Sequence, residues 1–230
     1  MKAVILAAGR GTRMKELTKN VPKPMIEVNG FPFLQYLFDN LKKAGFTDIG
    51  IVVSWKKEVI GEWAEENGTK VKIIEQGEPL GTGHAVQSVE KWTGNEDFIV
   101  VNGDNLYSED DMKKMGKEDE FCYVGGMEGL DQTKLGALVT EDGKLVHIVE
   151  KPEKPISKLS SVGVYKFTPE IFDKLRMIKK SSRGEYEITD AIELLCREGK
   201  VKACRINDYW IDFTKPEDIE KVEEFLKKKD

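Results

Sequence analysis

Four short apolar runs constrain the first half of the chain more than any other feature. Ala3–Leu6, Ile49–Val53, Val71–Ile74 and Phe98–Val101 are each of strand length, with β-branched residues in every one. Between them lie stretches of helical spacing. Phe33, Leu34, Leu37, Phe38 and Leu41 form one, stopped by Gly45. Val59, Ile60, Trp63 and Ala64 form a stripe within Glu58–Glu66, and His84–Trp92 reads as a third helix. Strand and helix patterns alternating over short links predict a parallel sheet with helices on both faces. Ala3–Leu6 and Ile99–Val101 are apolar without alternation, as strands buried on both sides must be.

The second half changes style. Cys122–Met127, Ala137–Val139, Leu145–Val149 and Val162–Phe167 read as strands close together, with Glu141-Asp-Gly143 as a tight turn. Glu109–Met115, Glu170–Leu175 and Tyr186–Glu198 read as helices and Val201–Arg205 as a strand. A last helix is expected from about Pro216, through Ile219, Val222, Phe225 and Leu226. No repeat or linker interrupts the pattern, and Lys154–Ser160 reads as a polar loop inside the domain. The fold class is therefore α/β, with a mostly parallel, mixed central sheet, and residues 1–230 are expected to form a single domain.

Charge narrows the function classes. The 230 residues carry a net charge of -5, which argues against a nucleic-acid binder, since such a domain needs a basic face. Against that acidic whole, Arg10, Arg13, Lys15, Lys19 and Lys23 stand out as a local basic cluster. No apolar run approaches the ~18 residues a membrane span needs, and the N-terminus has no cleavable signal pattern. Cys122, Cys196 and Cys204 have no metal or redox spacing and read as reduced structural thiols. With only His84 and His147 beside them, a zinc site is improbable. A cytoplasmic enzyme without a membrane partner is the expectation.

The basic cluster surrounds a glycine turn, Gly9-Arg-Gly11, at the end of the first strand. Glycines let consecutive backbone N–H groups converge into an anion nest, and phosphate is the usual guest. Arg13 and Lys23 would add charge-assisted bonds. A plain strand-to-helix turn with solvated basic residues fits the glycines equally well. A dinucleotide fingerprint fits less well, because Met14 stands where a third small residue belongs.

Further candidates sit at or near strand ends. Asp104, in Asn102-Gly-Asp104-Asn105, and Asp212, in Trp210-Ile-Asp212, are each either a Mg²⁺ ligand or a helix cap. Glu150-Lys151-Pro152 could meet a substrate hydroxyl and a phosphate, or form an exposed salt-bridged turn. Gly81-Thr-Gly-His84 opens a helix below Gln76, whose amide suits a base edge. His84 reads as a helix-start residue rather than a nucleophile.

Together these residues resemble the sugar-1-phosphate nucleotidylyltransferases, the family that joins a nucleoside triphosphate to a sugar 1-phosphate and releases pyrophosphate. The matching motifs are Leu6-Ala-Ala-Gly-Arg-Gly-Thr-Arg13, Pro22-Lys-Pro24, Leu80-Gly-Thr-Gly-His-Ala85, Gly103-Asp104, Glu150-Lys-Pro152, Gly184-Glu-Tyr-Glu-Ile-Thr-Asp190 and Trp210-Ile-Asp212, spread over nearly the whole chain. The resemblance implies a Rossmann-like three-layer αβα nucleotidyltransferase fold, with residues 1–110 as a nucleotide-binding half and 111–230 as a sugar-phosphate-binding half. It implies that Leu6, Ala7, Ala8, Gly9, Gly11 and Thr12 hold the nucleotide, that Arg13 and Lys23 hold the triphosphate, and that Gln76, Gly81 and Thr82 read the base. Asp104 and Asp212 would bind Mg²⁺. Glu150 and Lys151 would take the sugar and its phosphate, with Gly136 and Val162 lining the sugar pocket. Arg13, Lys23, Asp104, Lys151 and Asp212 would carry the chemistry.

The implied substrates are UTP or dTTP and a hexose 1-phosphate, glucose 1-phosphate or N-acetylglucosamine 1-phosphate. Leu135 departs from relatives that often have Tyr there; Ser161 stands where relatives specific for N-acetylglucosamine 1-phosphate have Asn, which makes the acetamido sugar less secure. No residues are left for the left-handed β-helix domain that many relatives carry. Two other readings stay open: a CTP- or GTP-using enzyme with phosphocholine or mannose 1-phosphate as acceptor, and a silent sugar-nucleotide sensor. A homo-oligomer is left open too.

Overall fold

The computed structural model describes residues 1–229; Asp230, the last residue of the expected domain, lies outside the described residues. β1 (Lys2–Leu6) leads through two 3₁₀ segments, Thr12–Thr18 and Lys23–Met25, to a small hairpin of β2 (Glu27–Val28) and β3 (Phe31–Pro32), then to α1 (Phe33–Lys43). β4 (Ile49–Val53), α2 (Lys57–Glu66) and β5 (Val71–Glu75) follow, then α3 (Thr82–Gln87) and α4 (Glu90–Thr93). β6 (Phe98–Asn102) turns into β7 (Asn105–Tyr107) and α5 (Glu109–Met115). The second half runs β8 (Cys122–Glu128), β9 (Gly136–Glu141), β10 (Lys144–Glu150), β11 (Leu159–Phe167), α6 (Ile171–Met177), α7 (Ile188–Arg197), β12 (Val201–Arg205), β13 (Trp210–Asp212) and α8 (Asp218–Lys229).

The main sheet has nine strands in the order β5-β4-β1-β6-β11-β8-β12-β10-β9. The β5-β4-β1-β6 block is parallel throughout, and so is β8 with β12. The remaining pairs are antiparallel, and β9 also bends back onto the start of β11. Alternate residues of β1 go to opposite faces, as the pleat requires. Ala3 and Ile5 join one apolar cluster with α1, α2, α5 and Val222 of α8; Val4 joins the other with α3, α6 and α7. Val4 and Ile5 are fully enclosed, each contributing roughly 1.5–3 kcal/mol through burial. The expected three layers follow from this division. All three cysteines are buried and unpaired, and burial pushes the Cys196 thiol up to about 12.

Local interactions shift several expected boundaries. The single helix expected at His84–Trp92 starts at Thr82 and breaks after Gln87. There Ser88 Oγ donates to the Ala85 carbonyl at 2.7 Å, and Val89 N–H reaches back only to Val86. Both bonds tighten the turn and end the α-helical ladder. α7 begins at Ile188 rather than Tyr186, because Tyr186 N–H is held by the Leu80 carbonyl at 2.8 Å and Glu187 is extended. Pro216 lies in a turn before α8, which starts at Asp218; that carboxylate accepts the Thr214 and Lys215 N–H groups. β11 starts at Leu159, inside the expected polar loop, and its register with β8 shifts around Gly163, whose φ is +74°.

From β1 the chain crosses to β4 on one side, while β6 lies on the other side of β1. A strand order that reverses direction in this way leaves a crevice at the carboxyl ends of β1 and β6, where α/β proteins bind ligands.

Candidate active site

A cleft of about 630 Å³ opens at that crevice. Every residue that the resemblance assigns to the nucleotide, from Leu6 through Asp104, lines it. The two glycines of the opening turn are needed for different reasons. Gly11 has φ +62°, and a Cβ there would stand 2.9 Å from Lys23 Cβ and 3.0 Å from Thr18 Cγ2. Gly9 has nothing within 4 Å of its Cβ position, and its open side faces the cleft. The loop then packs through Met14, fully buried, while Arg13 stays exposed on the rim.

Lys23 begins the short 3₁₀ turn between Pro22 and Pro24 and is nearly buried. Its Nζ lies 2.7 Å from Asp104 Oδ2. Asp104 follows Gly103, whose N–H donates to the Leu6 carbonyl at 2.9 Å and clips the end of β6 to the end of β1. A Cβ on Gly103 would meet that carbonyl oxygen at 2.8 Å.

The three-residue pairing of β7 with β13 sets Asp212 opposite Asn105, next to Asp104, although Asp212 itself is not among the residues that line the cleft. Phe213 N–H donates to the Asp104 carbonyl at 2.9 Å. Asn105 Nδ2 donates to Asp212 Oδ1 at 3.1 Å, and Thr214 Oγ1 to Oδ2 at 3.2 Å. Burial pushes the Asp212 carboxyl above its ordinary range, the negative Asp104 pushes the same way, and Lys23 and Arg13 pull it down. The capping alternative for both aspartates falls away: Ser108 Oγ caps α5, and Asp218 binds the N–H groups before α8. Among the described residues no cluster of three or more His, Cys, Asp and Glu could hold a metal unaided. Two neighbouring carboxylates at the edge of an open cleft fit Mg²⁺, which takes one or two carboxylates and completes its shell with phosphate oxygens and water.

The expected sugar residues gather outside the cleft wall. β9 and β10 pair Gly136 with Glu150. A Cβ on Gly136 would lie 3.4 Å from Ser161 Cβ and 3.6 Å from Glu150 Oε2. Glu150 Oε1 lies 3.3 Å from Lys151 Nζ and 3.4 Å from Arg183 Nη2, and Arg183 also pairs with Glu187 at 2.7 Å. Lys151 has φ +45° and its N–H donates to the Leu135 carbonyl, which turns the exposed side chain away from the strand. Val162 belongs to the core: it is 1% exposed, and its carbonyl accepts the Tyr107 hydroxyl at 2.7 Å.

Sequence reading passed over several wall residues. Asn102 and Thr214 line the cleft beside Asp104 and Asp212, and Glu185 reaches it from the segment before α7. Each lies within two residues of a motif position or inside one, which was the available signal. Gly81 is a glycine because of the protein, since a Cβ there would strike the Tyr186 backbone at 2.6 Å. Gly83 N–H donates to that same Tyr186 carbonyl, and Ile188 N–H to Thr82 Oγ1, so the Gly81–Thr82 side of the cleft is docked onto the start of α7.

Comparison with known proteins identifies the family. A family model described as nucleotidyl transferase matches residues 2–229. The chain is 39% identical to UTP–glucose-1-phosphate uridylyltransferase AglF of Haloferax volcanii, over 98% of this chain and 96% of that one. It is 40% identical to the bifunctional protein GlmU of Methanocaldococcus jannaschii, over 98% of this chain and 54% of that protein. A crystal structure of UDP-glucose pyrophosphorylase complexed with UDP-glucose superposes with a TM-score of 0.88 at 27% identity, covering 100% of this chain and 99% of the other. The chain belongs to the nucleotidyl transferase family.

Proposed function

We propose that this nucleotidyl transferase moves the nucleotidyl group of UTP or dTTP onto a hexose 1-phosphate, releasing pyrophosphate and a nucleoside diphosphate sugar. The observation that carries the reading is the Lys23–Asp104 pair in a cleft whose rim is the Gly9–Arg13 loop, with Asp212 acting on Asp104 from beside it. Residues 1–110 would hold the nucleotide and 111–230 the sugar phosphate. Glucose 1-phosphate is the first candidate acceptor, supported by the name of the Haloferax relative and by the ligand of the superposed structure. Ser161 favours a plain hexose over an acetamido sugar.

The chemistry asks little of a general base. A phosphate monoester has a second pKa of about 6, so the attacking oxygen is already anionic at neutral pH. The difficulty is bringing two polyanions into line. Gly9, Gly11 and Thr12 would hold the triphosphate through backbone N–H groups, with Arg13 closing over it. Lys23 would offset charge on the leaving pyrophosphate, and Glu150 and Lys151 would fix the sugar and its phosphate. Mg²⁺ held by Asp104 and Asp212 would supply charge neutralisation at the reacting phosphates. The sugar phosphate oxygen attacks the α-phosphorus, and the bond to the β-phosphate oxygen breaks.

Pyrophosphate release is the test, with UTP, dTTP, CTP, GTP and ATP each offered with glucose 1-phosphate, N-acetylglucosamine 1-phosphate, mannose 1-phosphate and phosphocholine in Mg²⁺. Turnover is expected for UTP or dTTP with a hexose 1-phosphate. No turnover with any pair, alongside tight nucleotide binding, would mark the silent sensor instead.

A further inference from the structure

The proposed reaction uses Arg13 and Lys23 from the basic cluster and leaves Arg10, Lys15 and Lys19 without a task. Those three meet in a second cavity of about 430 Å³, which Thr12, Thr18 and Trp55 also line. It adjoins the cleft through Arg10 and Thr12, which line both; the other four residues take no part in the cleft wall. Among the described residues no carboxylate lines this outer cavity. Lys19 pairs with Glu16 of its own turn, a surface pair of small worth that an incoming anion can exchange. The side chains of Arg10 and Lys15 have no ion pair or hydrogen bond among the described residues, and neither has the Trp55 indole N–H. Like charges brought together repel, and this chain, with a net charge of -5, has acids to pair them with; here it supplies almost none.

The backbone is strained to bring Lys15 there. Its φ of +54° and ψ of -122° interrupt the 3₁₀ segment and lie outside the wells a residue with a Cβ ordinarily adopts, a conformation that persists only where its surroundings hold it. Thr18 does the holding: its Oγ1 lies 3.1 Å from the Gly11 carbonyl oxygen and 3.2 Å from that of Lys15. With the Thr18 proton spent on those carbonyls, the remaining polar side chains of the cavity can all donate: a guanidinium, two ammonium groups, the Thr12 hydroxyl and the indole N–H. We infer that this cavity is a second anion site, outside the catalytic cleft, that takes pyrophosphate. The choice of pyrophosphate rests on the proposed reaction, which makes that anion in the adjoining cleft; the anion site does not. Pyrophosphate carries oxygens on two phosphorus atoms, so it can meet three cations and two neutral donors together through charge-assisted bonds, which a single tetrahedral anion cannot.

Trp55 supplies the readout, because among the described residues no tryptophan lines the cleft. Sodium pyrophosphate is titrated into the full chain in metal-free buffer at fixed ionic strength while tryptophan emission is followed. The same titration is run on Lys23→Met, on Trp55→Phe and on the double variant Lys15→Gln, Lys19→Gln. A saturating change is expected in wild type and in Lys23→Met, and none in Trp55→Phe. The double variant should bind at least ~10-fold more weakly, since each lost ammonium removes a charge-assisted bond, and so should sulfate offered to wild type. No Trp55-dependent change, a change lost in Lys23→Met but kept in the double variant, or sulfate binding as tightly as pyrophosphate would each overturn the inference. Should the double variant fail to fold, Lys15→Gln alone decides, with binding ~3-fold or more weaker expected and unchanged binding refuting the site. A Trp55 response without turnover in the substrate panel would sink the proposed reaction and leave the anion site standing; turnover without a Trp55 response would do the reverse.

Discussion

Replacing Lys23 by methionine keeps most of the stem and removes the charge. The Nζ sits 2.7 Å from Asp104 Oδ2, with side-chain exposures of 8% and 29%. Two unit charges at that distance attract by roughly 6 kcal/mol at an effective dielectric constant of about 20. Desolvating the ammonium offsets part of this, and breaking such a pair leaves an uncompensated carboxylate, so a loss of about 3 kcal/mol is expected. Asp104 would then face Asp212 without Lys23, and Asp212 is already held above its ordinary range by burial and by Asp104, with the Thr214 hydrogen bond and Arg13 left to draw it down. Urea unfolding in metal-free buffer measures the loss. Asp104→Asn should cost a similar amount, and the double variant clearly less than the two together, since both remove one interaction. Mg²⁺ should recover more stability in Lys23→Met than in wild type, because the variant's carboxylates lack their internal cation. Pyrophosphate release should fall at least ~100-fold. Additive stability losses, or a rate within ~10-fold of wild type, would refute the reasoning.

Asp212→Asn should separate stability from activity. A carboxyl whose folded value is raised binds its proton more tightly in the folded state, so metal-free wild type is expected to lose stability as pH rises from the ordinary carboxylate value through the raised one. The Asn variant should show no such loss from this group, be the more stable of the two at neutral pH without metal, and lose its Mg²⁺-dependent turnover; melting scans across pH with and without Mg²⁺ check this, and a less stable variant contradicts it. Gly103→Ala would press a Cβ to 2.8 Å from the Leu6 carbonyl and 3.3 Å from Pro24 Cγ. Overpacking of this kind costs about 1–3 kcal/mol, and the shift between β1 and β6 should cut turnover ~10-fold or more; near-normal values by unfolding and assay would show that the clip does not set the Lys23–Asp104 spacing.

The parallel block was legible because physics leaves little freedom there. Strands covered on both faces must be apolar throughout, and Ala3–Leu6 and Phe98–Val101 are. Where reading failed, a long-range or side-chain bond had intervened. Nothing near Tyr186 in sequence says that Leu80 holds it extended, and nothing in Ser88 alone says that it will turn back on Ala85. The candidate site divides in the same way. The Gly9–Lys23 stretch is local and shows its cationic, glycine-rich character directly. The meeting of Asp104 with Asp212 depends on a strand pair of three residues, whose Asn105–Asp212 bond spans 107 positions, too short a pattern to leave a periodic trace. Gly9 and Gly11 look alike in sequence, yet one faces open space in the cleft and the other avoids Lys23 and Thr18. Val162 was expected at the sugar pocket, but an apolar residue in a strand is placed by the core first, and the structure puts it beneath Tyr107.

The central claim is that the nucleoside triphosphate is cut between its α- and β-phosphates by a sugar phosphate. UTP labelled with phosphorus-32 at the α-position, incubated with the chain, glucose 1-phosphate and Mg²⁺, follows that phosphorus directly. The account predicts label in UDP-glucose, matched mole for mole by pyrophosphate. Label left in the triphosphate for every hexose 1-phosphate offered, with UTP and with dTTP labelled in the same way, or orthophosphate released in place of pyrophosphate, would contradict it.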